Sequence, residues 1–301
     1  MKIKHVITCG CSFSDGETEW AWPRVFEKII KEKYPHLSFT HMGMGSQGQE
    51  LVQKKASLAV IEALEKYSPD EIAVIVMWTG TERKTFYVDN QDFIKEVAEG
   101  WRQGSHWWGI QFADLRSNVD KNTFAIHPTL NMPTNYNKEG GWYICNYLFP
   151  DSVITKEYFN LSSTIIGPVT ISLENIIMLQ NLCKLKGVNI FQSFYREYVY
   201  NDIIENKDHL NLNYLYKQWD HDTIISTTGI YEHLRPTLED HQQWEMGGIF
   251  KRIFKMGHWT DETSKYFCSD NWHPNELGST KWINEVLIPK LNEKGFFNES
   301  E

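Results

Sequence analysis

Apolar positions along the chain fall into two kinds, short continuous runs and sets at helical spacing. Ile3 to Thr8 is a short apolar run that ends at Gly10 and gives way to Ser12, Ser14, Asp15 and Gly16. This pattern predicts a buried first strand entering a loop. Pro23, followed by Val25, Phe26, Ile29 and Ile30, predicts a helix. Ser38 to Met42 reads as a second short strand, closed by a glycine-rich loop at Gly43, Gly45 and Gly48. Helix returns from about Gln49 to Lys66, with Leu51, Ala56, Leu58, Ile61 and Leu64 near one face and the Lys and Glu residues on a solvated one. Glu71 to Trp78 is β-branched and almost uniformly apolar, as a central parallel strand must be. Further on, Leu173, Ile176, Ile177, Leu179 and Leu182 predict a helix that Gly187 stops, and Val188 to Phe194 predicts a fourth strand. A final helix starts near Pro274 and runs through Trp282, Ile283, Val286 and Leu287 towards Pro289.

Strands separated by helices specify an α/β layered fold with a parallel sheet and right-handed crossovers. The economical organisation is one domain over residues 1–301 with two long insertions, at approximately 84–168 and 195–265, where periodicity is lost. The first insertion holds Trp101, Trp107, Trp108 and Trp142. Composition narrows the function classes. A formal charge of −9 without a basic block removes the electrostatic footprint of a nucleic-acid binder. An aromatic content of 14% is far too high for a disordered chain. No apolar run is long enough for a membrane span, and the start of the chain has too short an apolar stretch for a signal peptide. Five cysteines at irregular spacing argue for reduced thiols, so a cytoplasmic location is expected.

Three short blocks sit where strands end, which is where open α/β sheets carry their sites. In Gly10-Cys11-Ser12-Phe13-Ser14 a serine just past a strand can present its hydroxyl and offer its own backbone N–H to an oxyanion. In Gly43-Met44-Gly45-Ser46-Gln47-Gly48 a flexible backbone can aim a second N–H at the same point. In Asp270-Asn271-Trp272-His273 the spacing lets a carboxylate hold an imidazole in one tautomer while the other ring nitrogen faces the serine. Cys9, Cys11, Cys268 and His273 lack a four-ligand spacing, so neither a metal nor a cofactor is expected.

Together these blocks resemble the SGNH hydrolases, the superfamily that includes the GDSL esterases and lipases. Gly10-Cys11-Ser12-Phe13-Ser14 is similar to its first block, Gly-Asp-Ser-x-Ser. Asp270-Asn271-Trp272-His273-Pro274 is similar to its last, Asp-x-x-His-Pro, and Asn275, Gly278 and Trp282 continue the pattern. The resemblance implies a flavodoxin-like three-layer α/β/α sandwich. It implies Ser12 as nucleophile, His273 as base and Asp270 as its orienting carboxylate. The backbone N–H of Ser12 and that of Ser46 or Gly45 would hold the oxyanion. The chain departs from the family in having Cys11 for the first-block Asp and His41 for the second-block Asn. The third block, Gly-x-Asn-Asp, is absent: strand three ends Trp78-Thr79-Gly80-Thr81-Glu82-Arg83. Thr79 or Thr81 could donate a hydroxyl in place of the missing amide, or Arg83 could reach in. Trp78, Arg83 and Trp272 flank these blocks as candidate substrate contacts. The implied activity is a serine esterase that removes a small acyl group, such as acetyl, from a carbohydrate or related ester. The aromatic-rich insertions suit a sugar ring. A carbohydrate-binding or inactive relative of the same fold, and an acyltransferase using the same triad, are the competing readings.

Overall fold

The computed structural model describes residues 2–16, 18–45, 47–88, 164–235, 264–269 and 273–297, together with the backbone of 112–113, 141–145, 240–246 and 250–256. Strands occur in the order β1 (His5–Gly10), β2 (Ser38–His41), β3 (Ile72–Trp78), β4 (Lys84–Val88), β5 (Phe112–Ala113), β6 (Gly141–Cys145), β7 (Asn189–Phe194), β8 (Asp240–Met246) and β9 (Phe250–Met256). Strands β1, β2, β3 and β7 form a parallel sheet in the order β2-β1-β3-β7. Strands β4, β6 and β5 make an antiparallel sheet, and β8 pairs antiparallel with β9.

The helices of the α/β frame are α1 (Trp22–Lys33), α2 (Gln49–Ala63) and α3 (Ile166–Lys186). The chain steps from β1 outwards to β2, then back across to β3 and on to β7. Right-handed crossovers therefore put α1 on one face and α2 with α3 on the other. The packing agrees: α2 lies against α3, and α1 lies against the C-terminal helix. The fold is thus a flavodoxin-like α/β sandwich whose strand order reverses between β1 and β3. On the outer edge of β7, Ile224 makes a parallel bridge to Gln192, and Ile225 N–H donates to Gln192 O at 2.8 Å. The register pairs Gly10 with Met77 and Trp78 with Phe194, so the carboxyl ends of β1, β3 and β7 meet along one rim.

Several elements differ from the sequence expectation. On α2 the buried face is Leu51, Val52, Lys55, Ala56, Ala59, Val60 and Ala63, whereas Ile61 is 51% exposed. Lys55 and Glu50, assigned above to a solvated face, are buried, Lys55 completely. The helix enters the sheet with its polar first turn inwards, so apolarity alone misjudges its rotation. The stretch 195–265 contains α4 (Glu197–Asn206), α5 (Asn213–Tyr216) and α6 (Ile230–Leu234) besides β8 and β9. Helix α4 anchors on only Val199 and Ile203, too few apolar positions to show a period. At the C-terminus, α7 (Glu276–Trp282) passes through a π turn, Ile283–Leu287, into α8 (Ile288–Glu293). Pro289 therefore lies inside the helical run, and the wider turn accommodates its missing N–H. Gly187 does end α3, in the left-handed conformation at φ 72°. Trp101, Trp107 and Trp108 lie outside the described residues. Among the described residues no helix is long and apolar enough to cross a membrane.

One buried histidine gives the sheet an acid sensitivity. His5 Nδ1 is 2.7 Å from Ser38 Oγ, its Nε2 is 3.2 Å from Thr40 Oγ1, and its ring stacks on Tyr67. Burial, helped by the charge of Lys66, lowers its pKa from 6.5 to about 4. The unfolded chain then takes up this proton first. His5 costs nothing above about pH 6.5, and stability falls as the pH drops from there towards 4. Replacing His5 by Gln is expected to flatten that slope, which urea midpoints across the window would measure.

Candidate active site

The end of β1 turns sharply into a 3₁₀ turn, Ser12–Ser14. Gly10 permits it by lacking a side chain: a Cβ there would collide with Ser14 Oγ and approach Met77 O to 2.6 Å. The turn is held from below, because the buried Trp22 Nε1–H donates to Ser14 Oγ at 2.8 Å. Ser12, at the start of the turn, is left half-buried at the rim. Its N–H makes no hydrogen bond among the described residues, as expected of the first N–H of a helical turn.

The second block is pressed against this turn. Met44 N–H donates to Gly10 O at 3.1 Å, and Gly43 bridges Asp15 with its Cα directly over the Ser14 backbone. Gly45 follows, half-buried, and its N–H also has no acceptor among the described residues. Ser46 lies outside the described residues. Gln47 Nε2–H then donates to Gly10 O, which ties the loop to the strand end.

His273 comes from the opposite end of the chain, in a loop folded back on itself by the Phe267–Pro274 bridge and by Cys268 N–H donating to His273 O at 2.8 Å. Asn275 closes that loop. Its amide donates to Lys265 O and Phe267 O, and its Oδ1 caps α7 by accepting from Gly278 N–H at 3.0 Å. Gly278 lets the helix pass against Tyr266 O, where a Cβ would clash. Trp282 packs edge-on to Trp22 at 5.7 Å, which registers α7 on α1. These contacts deliver His273 Nε2 to 2.8 Å from Ser12 Oγ, across 261 residues of sequence. With the ring proton on Nδ1, the Ser12 hydroxyl donates to Nε2. Asp270 and Trp272 lie outside the described residues. The thiols nearby are withdrawn: Cys9 and Cys11 are fully buried, and burial pushes the Cys9 thiol up to about 12.

The end of β3 serves as a brace. Gln49, at the first position of α2, donates from Nε2 to Thr79 O at 2.6 Å and accepts from Thr79 N–H at 3.2 Å. Gly48 N–H donates to Thr85 Oγ1 at 2.9 Å, and Lys84 pairs with Glu50. Arg83 Nη1–H donates to Thr79 Oγ1 at 2.8 Å, and its guanidinium lies 4.9 Å from the Tyr195 ring centre. Thr81 spends its hydroxyl on Asp202 at 2.7 Å. Glu82 accepts from Tyr198 OH at both oxygens. None of Trp78, Thr79, Thr81, Glu82 and Arg83 exceeds 3% exposure, and the Trp78 indole donates to Gln192 Oε1. Trp78, Thr79 and Arg83 therefore present no surface to a substrate here; they hold the crevice rather than line it.

Sequence reasoning passed over Gln47, Gln49, Phe13 and Trp20. The glutamines act across 37 and 30 residues, and nothing local marks them. Phe13 and Trp20 flank the His273 ring, at 5.2 and 5.7 Å between ring centres. Comparison of the chain with protein-family models, with curated proteins and with solved structures finds no match.

Proposed function

We propose that the chain is a serine esterase of the SGNH type, removing a small acyl group from an ester through an acyl-enzyme. The carrying observation is the 2.8 Å approach of His273 Nε2 to Ser12 Oγ at the carboxyl edge of the sheet. A core histidine and a turn serine have no packing reason to meet at a half-exposed rim. The N–H groups of Ser12 and Gly45 add a second support, being donors without acceptors among the described residues, one in the nucleophile turn and one in the loop that packs on it.

In the proposed reaction Ser12 Oγ attacks the ester carbonyl as its proton passes to His273 Nε2. The Ser12 and Gly45 N–H groups stabilise the oxyanion. His273 returns the proton to the leaving alcohol oxygen as the C–O bond breaks, and then activates water to release the acid. Asp270 would hold the imidazole tautomer. The substrate class is a small-molecule or glycan ester. Cys9, Cys11, Cys183 and Cys268 are free thiols, which supports the cytoplasmic setting.

Treatment with a fluorophosphonate tests this reading by intact mass. One adduct on the parent and none on Ser12→Ala is the expected result. An adduct that persists in Ser12→Ala, or a folded parent that takes none, overturns it.

A further inference from the structure

Trp20 is a large side chain beside the reacting pair that the proposed chemistry leaves unused. Its indole is half-buried and tilted 51° to the imidazole of His273, 5.7 Å between centres. Phe13, fully buried, covers another side of the same imidazole. The two rings differ in what they can do: Phe13 is sealed into the core against Tyr195, whereas Trp20 keeps exposed surface at the mouth where Ser12 and His273 are also half-exposed. The Trp20 indole N–H makes no hydrogen bond among the described residues, so it is free to meet an acceptor on a ligand. The backbone is meanwhile fixed: Trp20 O accepts from the buried Ser279 hydroxyl at 2.7 Å, and Ala21 N–H donates to Thr18 O at 2.9 Å just before α1 begins. Ser279 lies on α7, whose cap also sets His273, so ring and imidazole share one support.

Resting on the esterase reading, we propose that Trp20 determines specificity for the alcohol part of the ester, packing its ring face on that group and donating its N–H to an oxygen on it. The side follows from the proton's path. His273 Nε2 must hand its proton to the departing oxygen, so the alcohol lies against the imidazole, and Trp20 is the half-exposed ring beside that imidazole among the described residues. During acylation the Ser12 Oγ–C bond forms, the C–O bond to the alcohol breaks, and the Ser12 proton ends on the alcohol oxygen. Trp20 touches the part that leaves and is idle once it has gone. The ligand chemistry it fits is an alcohol with a flat apolar face and a neighbouring acceptor oxygen.

Two ester pairs separate the sides. Phenyl acetate and ethyl acetate form the same acyl-enzyme from different alcohols; p-nitrophenyl acetate and butyrate differ only in the acyl group. Trp20→Ala is expected to lower kcat/KM for phenyl acetate relative to ethyl acetate about tenfold or more, while the acetate-to-butyrate ratio stays at the parent value. Trp20→Phe is expected to recover most of that ratio, since it keeps a ring face. Fluorophosphonate, whose leaving group is fluoride, is expected to label Ser12 in Trp20→Ala at close to the parent rate, which also reports that the variant has folded with its site intact. An equal loss on every ester and on labelling makes Trp20 a support for His273 and overturns the proposal. A shift in the acyl ratio alone, or in neither ratio, overturns it as well. A parent that neither labels nor turns over any ester overturns the esterase reading itself, a failure distinct from these.

Discussion

Ser12→Ala, His273→Ala and the double variant are expected to lose the same factor in kcat, on the order of 10⁶ for p-nitrophenyl acetate. The equality carries the mechanism. If Ser12 Oγ is nucleophilic only because His273 Nε2, 2.8 Å away, accepts its proton, then removing either group leaves the other without a task. The adjoining thiol cannot take over, since Cys11 is fully buried in the turn itself. A residual rate above that of water should remain in all three variants, because the Ser12-position and Gly45 N–H groups are backbone and survive the substitutions. Neither side chain is part of the core, so the melting temperatures should stay near the parent value. Kinetics of the three variants beside thermal melts would check both halves. Losses that multiply in the double variant would mean that the two residues act independently, and the relay would be wrong.

The parts of this site that can be read in the chain are those in which one short segment performs its own geometry. Gly10-Cys11-Ser12-Phe13-Ser14 is a strand end and a turn, and its glycine has a local reason, the crowding of Ser14. The last block is similar: Asn275 caps the helix that follows it, and Gly278 lets that helix approach Tyr266 O. The strands are legible because a parallel strand buried on both faces must be apolar throughout, as Ile72–Trp78 is. What could not be read is whatever depends on a partner far along the chain. Gln47 and Gln49 look like ordinary helix-entry residues until β1 and β3 are set beside them. Thr79 and Arg83 resemble surface polar residues at a strand end, and only the crossover from α2 shows that they are buried against one another. Lys55 defeats a hydropathy reading for the same reason, since its rotation on α2 is fixed by the sheet beneath. The end of β3 is thus a brace, in which its polar groups satisfy one another.

Gly43→Ala is expected to damage both the fold and the site, and Gly167→Ala neither, although both replace a glycine by the smallest side chain. At Gly43 a Cβ would run into the carbonyl of Ser14, which is backbone and cannot rotate away. The glycine loop would have to lift off the nucleophile turn, weakening the Asp15–Gly43 bridge and the bond from Met44 N–H to Gly10 O. Overpacking of this kind costs about 2–3 kcal/mol. The same movement draws the Gly45 N–H away from the point at which an oxyanion would form, and a displacement of about 1 Å at a reacting centre can cost ~10²-fold in rate. Gly167 sits exposed in the first turn of α3, where no residue beyond its own turn lies within 4 Å of an added Cβ. Alanine there should change stability by no more than about 1 kcal/mol, because the backbone entropy that glycine gives up in a helix is offset by the crowding of a Cβ against the ring of Pro168, which follows it. Calorimetry on the two variants, with fluorophosphonate labelling rates for each, separates the causes. If Gly43→Ala melts early yet labels Ser12 at the parent rate, the second loop contributes stability without contributing a donor, and Gly45 leaves the oxyanion site. If it melts normally and labels slowly, the contact with Ser14 serves position alone, and close approach of the two loops is what the glycine is there to permit.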